Sequence, residues 1–219
     1  MKNKILSVVG AIFVTTSMAQ AATTTYVAED ILPAGLATLQ AERANWAADF
    51  GNPLGTEGFE GLVGNPGNFI DFGAFSLSFS GPSLTLYGAN PLTRTEGTQG
   101  LGFSGNGSIT LTFDNAISAL GIDWSSFDQN ATVVSYSDDN GNVVGDIFQP
   151  VISAGAGFFG IIDTDGFTSV TFAVDQSEIL EFDYIQWGSG LAPIPLPAGM
   201  PLLLGGLVGL GLLRRRKKT

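Results

Sequence analysis

The chain has no cysteine and no histidine, and no lysine between Lys4 and Lys217. Without cysteine there is no disulfide to staple the fold, so stability has to come from burial, with bound calcium as one further source. Without cysteine and histidine the usual zinc sites are excluded, and so are the Ser-His and Cys-His nucleophile arrangements. A serine-lysine dyad fails for want of lysine, which leaves carboxylate chemistry of the glycosidase kind. Positive charge is scarce as well. From Ala22 to Leu191 only Arg43 and Arg94 are basic, against twenty acidic residues between Glu29 and Asp183, a formal charge of −18 over that stretch. Such a body repels nucleic acid and anionic lipid headgroups. Its acidity suits solubility at high ionic strength, attraction of divalent cations, or dispersion in an anionic polymer matrix bridged by cations.

The two ends differ in character from what lies between. Lys2 and Lys4 precede the apolar stretch Ile5 to Val14, and Ala19-Gln20-Ala21 follows, with small residues at the two positions a signal peptidase reads. Residues 1–21 are expected to be a secretory signal peptide, cut after Ala21. At the other end Ile194-Pro195-Leu196-Pro197-Ala198 runs into the 16 uncharged residues Ala198 to Leu213, closed by Arg214, Arg215, Arg216, Lys217 and Lys218. As a transmembrane helix this span would reach roughly 24 Å, slightly less than the about 30 Å of a bilayer core. Snorkelling by the basic residues and local thinning make up the difference, and the same residues hold that end on the cytoplasmic side of the inner membrane. Gly205 and Gly209 form a small-xxx-small face suited to packing on another membrane helix; the plainer alternative is a disposable hydrophobic hook.

A signal peptide combined with Pro-Leu-Pro-Ala, a glycine-rich apolar span and a terminal Arg/Lys cluster resembles the PEP-CTERM class of sorting signals of Gram-negative bacteria, in its VPLPA variant. Ile194 stands where that variant has valine, and the likeness covers residues 194–219 within the segment 191–219. The resemblance implies that Ile194, Pro195, Leu196, Pro197 and Ala198 are recognised by an exosortase, a membrane cysteine protease that removes the tail. These five residues would be acted upon rather than acting. The resemblance also implies an association with exopolysaccharide and a destination at the cell surface or in the extracellular matrix.

Residues 22 to 191 are long enough for one domain with a sizeable core. Within an N-terminal segment, 22–56, a helix is expected over about 34–50. Leu36, Leu39, Trp46 and Phe50 share one of its faces, Glu42, Arg43 and Asp49 lie among the intervening positions, and Gly51 supplies a left-handed stop. Its expected role is to cap one end of a sheet rather than to bind a partner. From 57 to 190 the period changes to two. Phe75–Phe79, Ile109–Phe113, Leu120–Trp124, Val170–Val174 and Leu180–Tyr184 each alternate apolar and polar residues, as half-buried antiparallel strands do. Asp138-Asp-Asn-Gly-Asn142 and Asp163-Thr-Asp-Gly166 are among the turn signals between them, and Gly100–Gly107 and Gly155–Gly160 suit loops or bulges rather than phosphate cradles. Sixteen phenylalanines, mostly in these strands, give aromatic bulk enough for the space between two sheets. The pattern predicts a mainly β fold, an antiparallel β-sandwich of the jelly-roll kind with eight to ten strands. The order of a helix, Phe59-Glu-Gly-Leu62, and strands closing on Phe182-Asp-Tyr-Ile-Gln-Trp-Gly188 also resembles the jelly-roll ectodomains that precede such sorting signals.

Glu181 and Asp183, two apart on an expected strand, would point to one face with Cα atoms roughly 6.6 Å apart. They suit a wet outer face, a calcium site with Glu60 as third ligand if the first and last strands pair, or an acid and base flanking a sugar. Asp163-Thr-Asp-Gly166 fails as an EF-hand, because Val174 occupies the place of the bidentate glutamate. Trp124, Trp187, Tyr87, Tyr136 and Tyr184 are candidates for stacking on a sugar ring. Trp124 is expected in the core beside Leu120 and Ile122, whereas Trp187, near the end of the domain, is the best placed to stack. The function expected is that of an exported, non-catalytic surface or matrix protein associated with exopolysaccharide. The alternatives are a module for protein interaction and a carboxylate-dependent enzyme acting on polysaccharide.

Overall fold

A computed structural model describes residues 23–31, 35–81, 84–87, 95–104, 106–126, 133–148, 155–175 and 179–190. The expected signal peptide with Ala19 and Ala21, the motif Ile194 to Ala198 and the apolar span lie outside the described residues. Among the described residues no helix is long and apolar enough to cross a membrane.

The chain forms one helix, α1 (Ala37–Phe50), and eleven strands among the described residues. The strands are β1 (Thr23–Ile31), β2 (Gly55–Glu57), β3 (Phe69–Asp71), β4 (Phe75–Ser80), β5 (Thr85–Tyr87), β6 (Gly100–Ser104), β7 (Gly107–Ser126), β8 (Val133–Asp138), β9 (Val143–Phe148), β10 (Gly155–Asp175) and β11 (Ile179–Gly188). Every pairing between them is antiparallel.

The long strands β7 and β10 organise the rest. Their register breaks between Ile162 and Ser169 of β10, opposite residues 112–119 of β7, so each strand serves two half-sheets. In one half, β1 pairs with the first part of β10, which pairs with the second part of β7, then β11, and then β6 and β2. In the other half, β3, β4, the first part of β7, the second part of β10, β8 and β9 follow in order. The two halves face each other as a sandwich. Trp124 of the first meets Phe172 of the second with ring centroids 5.0 Å apart, and Phe159 meets Tyr136 at 5.2 Å. Phe75, Leu77, Ile109, Leu111, Leu120, Ile122, Phe182 and Ile185 fill the remaining space between them. Burial of each such side chain contributes about 1.5–3 kcal/mol, which makes this layer the principal source of stability.

Several sequence expectations need correcting. The segment 22–56 does more than carry a helix, because its first nine described residues form β1, paired along its whole length with β10. The run Thr23 to Val27 is β-favourable, but strict alternation of apolar and polar residues is missing from it. Likewise Asp163-Thr-Asp-Gly166 is no inter-strand turn and Gly155–Gly160 no loop: both lie within β10, the first as the irregularity at its fold, the second in unbroken register with Ser126 to Gly121. The hairpin at Asp138–Asn142 is present, with Asp138 N donating to Asn142 O and Gly141 at φ +85°.

The helix covers the outer face of the first half-sheet rather than the end of a sheet. Leu39, Trp46 and Phe50 pack on Ala119, Ala156, Phe158 and Ile162. Trp46 lies so close to the sheet that a β-carbon at Gly160 would stand 2.7 Å from its ring and one at Gly121 3.0 Å. Its indole N–H donates to the carbonyl of Ile161. Asp30, on β1, accepts a hydrogen bond from the Leu39 amide at 2.8 Å and so caps the helix from outside it, while Gly51 at φ +71° ends it as the sequence implied.

Candidate functional site

Trp187 lies near the C-terminal end of β11, opposite Gly55 of β2 and Leu120 of β7. A β-carbon on Gly55 would stand 2.5 Å from the indole, so glycine at that position is what lets the ring settle on the strand. Phe75 meets the ring edge-on at 5.1 Å and Phe113 lies 6.3 Å away. These contacts fix the orientation of the indole and leave it half-buried. Beside it is an open depression of about 210 Å³, lined by Trp187, Phe113, Asp114, Asn115, Ser189 and the turn at Gly73–Ala74.

The polar rim of this depression follows from the bend of β7. Residues 113–116 fall in the break in pairing with β10, and Asp114, Asn115 and Ala116 are exposed there. The backbone N–H of Asp114 donates to Ala74 O, tying the rim to the turn opposite. The sequence expectation named Trp187 as a candidate and did not name Asp114 or Asn115. The clue was the Asp-Asn pair between the alternating runs Ile109–Phe113 and Leu120–Trp124, which reads as a connection and is in fact a lifted segment of one strand.

The other aromatic candidates are unavailable or differently used. Trp124 and Tyr136 are fully buried. Tyr184 lies under the guanidinium of Arg43, whose central carbon is 5.0 Å from the ring centroid. The side chain of Tyr87 lies outside the description.

The carboxylates expected to gather around a cation do something else. Glu181 and Asp183 are not on a wet face: both are fully buried, because α1 and the segment 95–99 lie over that side of the sheet. Asp183 Oδ2 accepts hydrogen bonds from Thr95 N at 2.7 Å, Thr95 Oγ1 at 3.0 Å and Glu96 N at 2.9 Å. Glu60 is exposed in the turn after β2 and grips the other end of the same segment, through Thr98 N, Thr98 Oγ1 and Gln99 N. The first strand, β1, pairs with β10 rather than with the last strand, and although β2 pairs with β11, Glu60 stands beyond the paired residues. Among the described residues no three acidic side chains converge as a cation site. Glu60 and Asp183 Oδ2 accept from backbone N–H and threonine O–H groups of one loop.

Sequence reasoning missed the partner of this cluster. Arg43, placed among the polar positions of the helix, is four residues after Leu39 and three before Trp46, which puts it on the buried face. Its Nη1 lies 2.7 Å from the fully buried Asp123 Oδ2 and its Nη2 3.4 Å from Glu96 Oε2. β11 bulges here: Asp183 and Tyr184 together stand opposite the single residue Asp123. Burial pushes the Asp123 carboxyl up to about 7; Arg43 and the Thr95 hydroxyl pull it down, and the charges of Asp183 and Glu96 push it up further. Such a pair, its carboxylate closed off from solvent, braces the helix against the sheet rather than meeting a substrate.

No protein-family model matches the chain, and no curated protein matches it. Solved structures give partial likenesses. The enzymatically active domain of tailspike protein 4 of bacteriophage CBA120 aligns at 14% identity with a TM-score of 0.37, covering 54% of this chain and 20% of that one, so the chain spans about a fifth of its length. CsCBM6-3 from Clostridium stercorarium, solved with cellobiose, aligns at 16% identity with a TM-score of 0.31, covering 52% of this chain and 87% of that one. TmCBM61, solved with β-1,4-galactotriose, aligns at 14% identity with a TM-score of 0.32, covering 54% and 91%.

Proposed function

We propose that the chain is an exported, non-catalytic protein of the cell surface or extracellular matrix whose jelly-roll-like sandwich holds exopolysaccharide at Trp187. Export runs through signal peptidase after Ala21, and sorting through an exosortase-like protease acting at Ile194 to Ala198. The observation that carries the binding reading is the setting of Trp187. A half-buried indole, fixed by Gly55, Phe75 and Phe113, borders an open depression rimmed by Asp114, Asn115 and Ser189. An oriented aromatic face takes the apolar side of a sugar ring, and polar groups beside it take the hydroxyls. At about 210 Å³ the depression is smaller than the roughly 300–1,000 Å³ of pockets that enclose drug-sized ligands, and so has the size for one ring of a longer chain. The non-catalytic part of the reading is supported by Glu181 and Asp183: both carboxylates are fully buried, Asp183 against a clamped loop, and so have no path to a glycosidic bond.

A glycan array with the mature body, 22–191, tests the binding reading. Retention on polysaccharide that disappears in Trp187→Ala, with the fold intact by circular dichroism, supports it; no retention on any glycan overturns it. Intact mass of the protein recovered from the cell surface tests the sorting reading, which requires loss of residues 1–21 and of the tail after the Ile194–Ala198 motif.

A further inference from the structure

The depression beside Trp187 has a carboxylate on its rim and no cation. Asp114 is exposed and lines it together with Asn115 and Ser189. Arg43 is the only basic residue among the described residues, and its guanidinium is taken up by Asp123 and Glu96 on the helix-covered face. The stretch from Ala22 to Leu191 has a formal charge of −18. A uronic or sulfated sugar seated on the indole would bring its anion to Asp114 and into that field with no free counter-charge among the described residues to meet it. A sugar with a ring amine would bring a cation there instead, within reach of a carboxylate on a weakly screened surface.

Resting on the reading of Trp187 as a sugar-binding face, we infer that the ring unit it takes is an amino sugar with a free amine. The apolar face of the ring stacks on the indole, the ammonium pairs with the Asp114 carboxylate, and neighbouring hydroxyls meet Asn115 and Ser189. The polymer is therefore cationic in part, and the acidity of the whole body raises its local concentration before the ring is seated. Asp114 sets the sugar chosen; Trp187 sets whether a sugar is held at all.

Three probes of equal length test this by calorimetry on the mature body: β-1,4-glucosamine, β-1,4-glucose and galacturonate oligosaccharides. The inference expects glucosamine oligomer to bind best and galacturonate not at all. Asp114→Asn, a change at an exposed residue, should cost about two- to fivefold in glucosamine affinity and leave the glucose oligomer unaffected. Trp187→Ala should remove both. The preference for glucosamine should shrink between about 0.01 M and about 1 M salt, as the Debye length falls from about 30 Å to about 3 Å. Equal, Trp187-dependent binding of glucose and glucosamine oligomers, indifferent to Asp114→Asn, overturns the inference and leaves the sugar site standing. So does binding of galacturonate. Glucosamine binding that survives both substitutions is attraction to the acidic surface at large, which overturns it as well. Failure of every saccharide to bind removes this inference and the binding reading together.

Discussion

Asp183 Oδ2 lies 2.7 Å from the backbone nitrogen of Thr95, the shortest of three hydrogen bonds by which one buried carboxylate oxygen holds two consecutive residues. A carboxylate shared among N–H and O–H donors in a site closed to water is a structural anchor, and its loss leaves buried donors without an acceptor. Asp183→Ala is expected to cost roughly 2–4 kcal/mol in urea unfolding. Glu60→Ala, which frees the exposed end of the same segment, is expected to cost about 1 kcal/mol. Equal costs would mean that burial does not separate the two anchors.

The same bonding pattern bears on calcium. A cation bound only by the folded chain raises its melting temperature with concentration. Asp183 Oδ2 and both oxygens of Glu60 already face N–H and O–H donors, and Glu60 does not converge with Glu181 and Asp183, so EDTA and millimolar calcium are expected to leave the melting temperature where it stands. A calcium-dependent rise would restore the cation site that the sequence suggested.

Stability should fall as the pH rises from about 4 to above 7. In the folded chain burial lifts the Asp123 carboxyl from 3.8 to about 7, so between those values the folded state holds a proton that the unfolded state has lost. The contribution of this group is fully present below its unfolded value and is lost as pH passes through about 7, with a total on the order of a few kcal/mol. Asp123→Asn, which keeps the shape and removes the titration, is expected to flatten the melting temperature across that window. Asp183→Ala should narrow the window from its upper end, because it removes one of the like charges that raise Asp123.

The seating of α1 can be tested without touching a polar group. The ring of Trp46 occupies the space a β-carbon at Gly160 would need, and Phe158 closes the other side at 2.9 Å. Neither ring has room to give, so Gly160→Ala is expected to destabilise by about 1–3 kcal/mol through overpacking. Gly141→Ala, with nothing nearby but φ at +85°, strains only its own turn, and any cost there comes from the backbone alone.

The inner layer of this fold was legible because alternation is a local signal. Leu120, Ile122 and Trp124 face inward as their spacing requires, and so do Leu180 and Phe182. The same rule put Asp123, Glu181 and Asp183 on the opposite face, where a wet surface was one of the readings for Glu181 and Asp183, since alternation distinguishes two faces of a strand but not what lies over the second face. A helix from residues 37–50 covers it, and no spacing within a strand reports a distant helix. Arg43 is the residue that could have disclosed the cover: a cation on the apolar face of a helix in a chain with so few cations needs a buried carboxylate to receive it. The bends of β7 and β10 escaped for a related reason. Asp-Asn and Asp-Gly are read as chain reversals, whereas a strand that changes sheets needs a break in pairing of the same composition without reversing.

The three tryptophans make the exposure of the binding face measurable. Trp46 and Trp124 have no accessible surface, and Trp187 alone is partly exposed. A neutral quencher is required, because iodide would be held off by the acidic surface and report charge instead of access. Acrylamide is expected to quench one emitting class out of three strongly and the others weakly, and Trp187→Phe should abolish the accessible class while leaving the rest unchanged. Gly55→Val should enlarge that class, since its side chain would occupy the space the indole settles into and push the ring outward. A saccharide seated on the indole should protect the accessible class in proportion to its occupancy. Protection that spreads to the buried tryptophans would show a change of the whole fold, and strong quenching that persists in Trp187→Phe would place the accessible aromatic elsewhere than on β11.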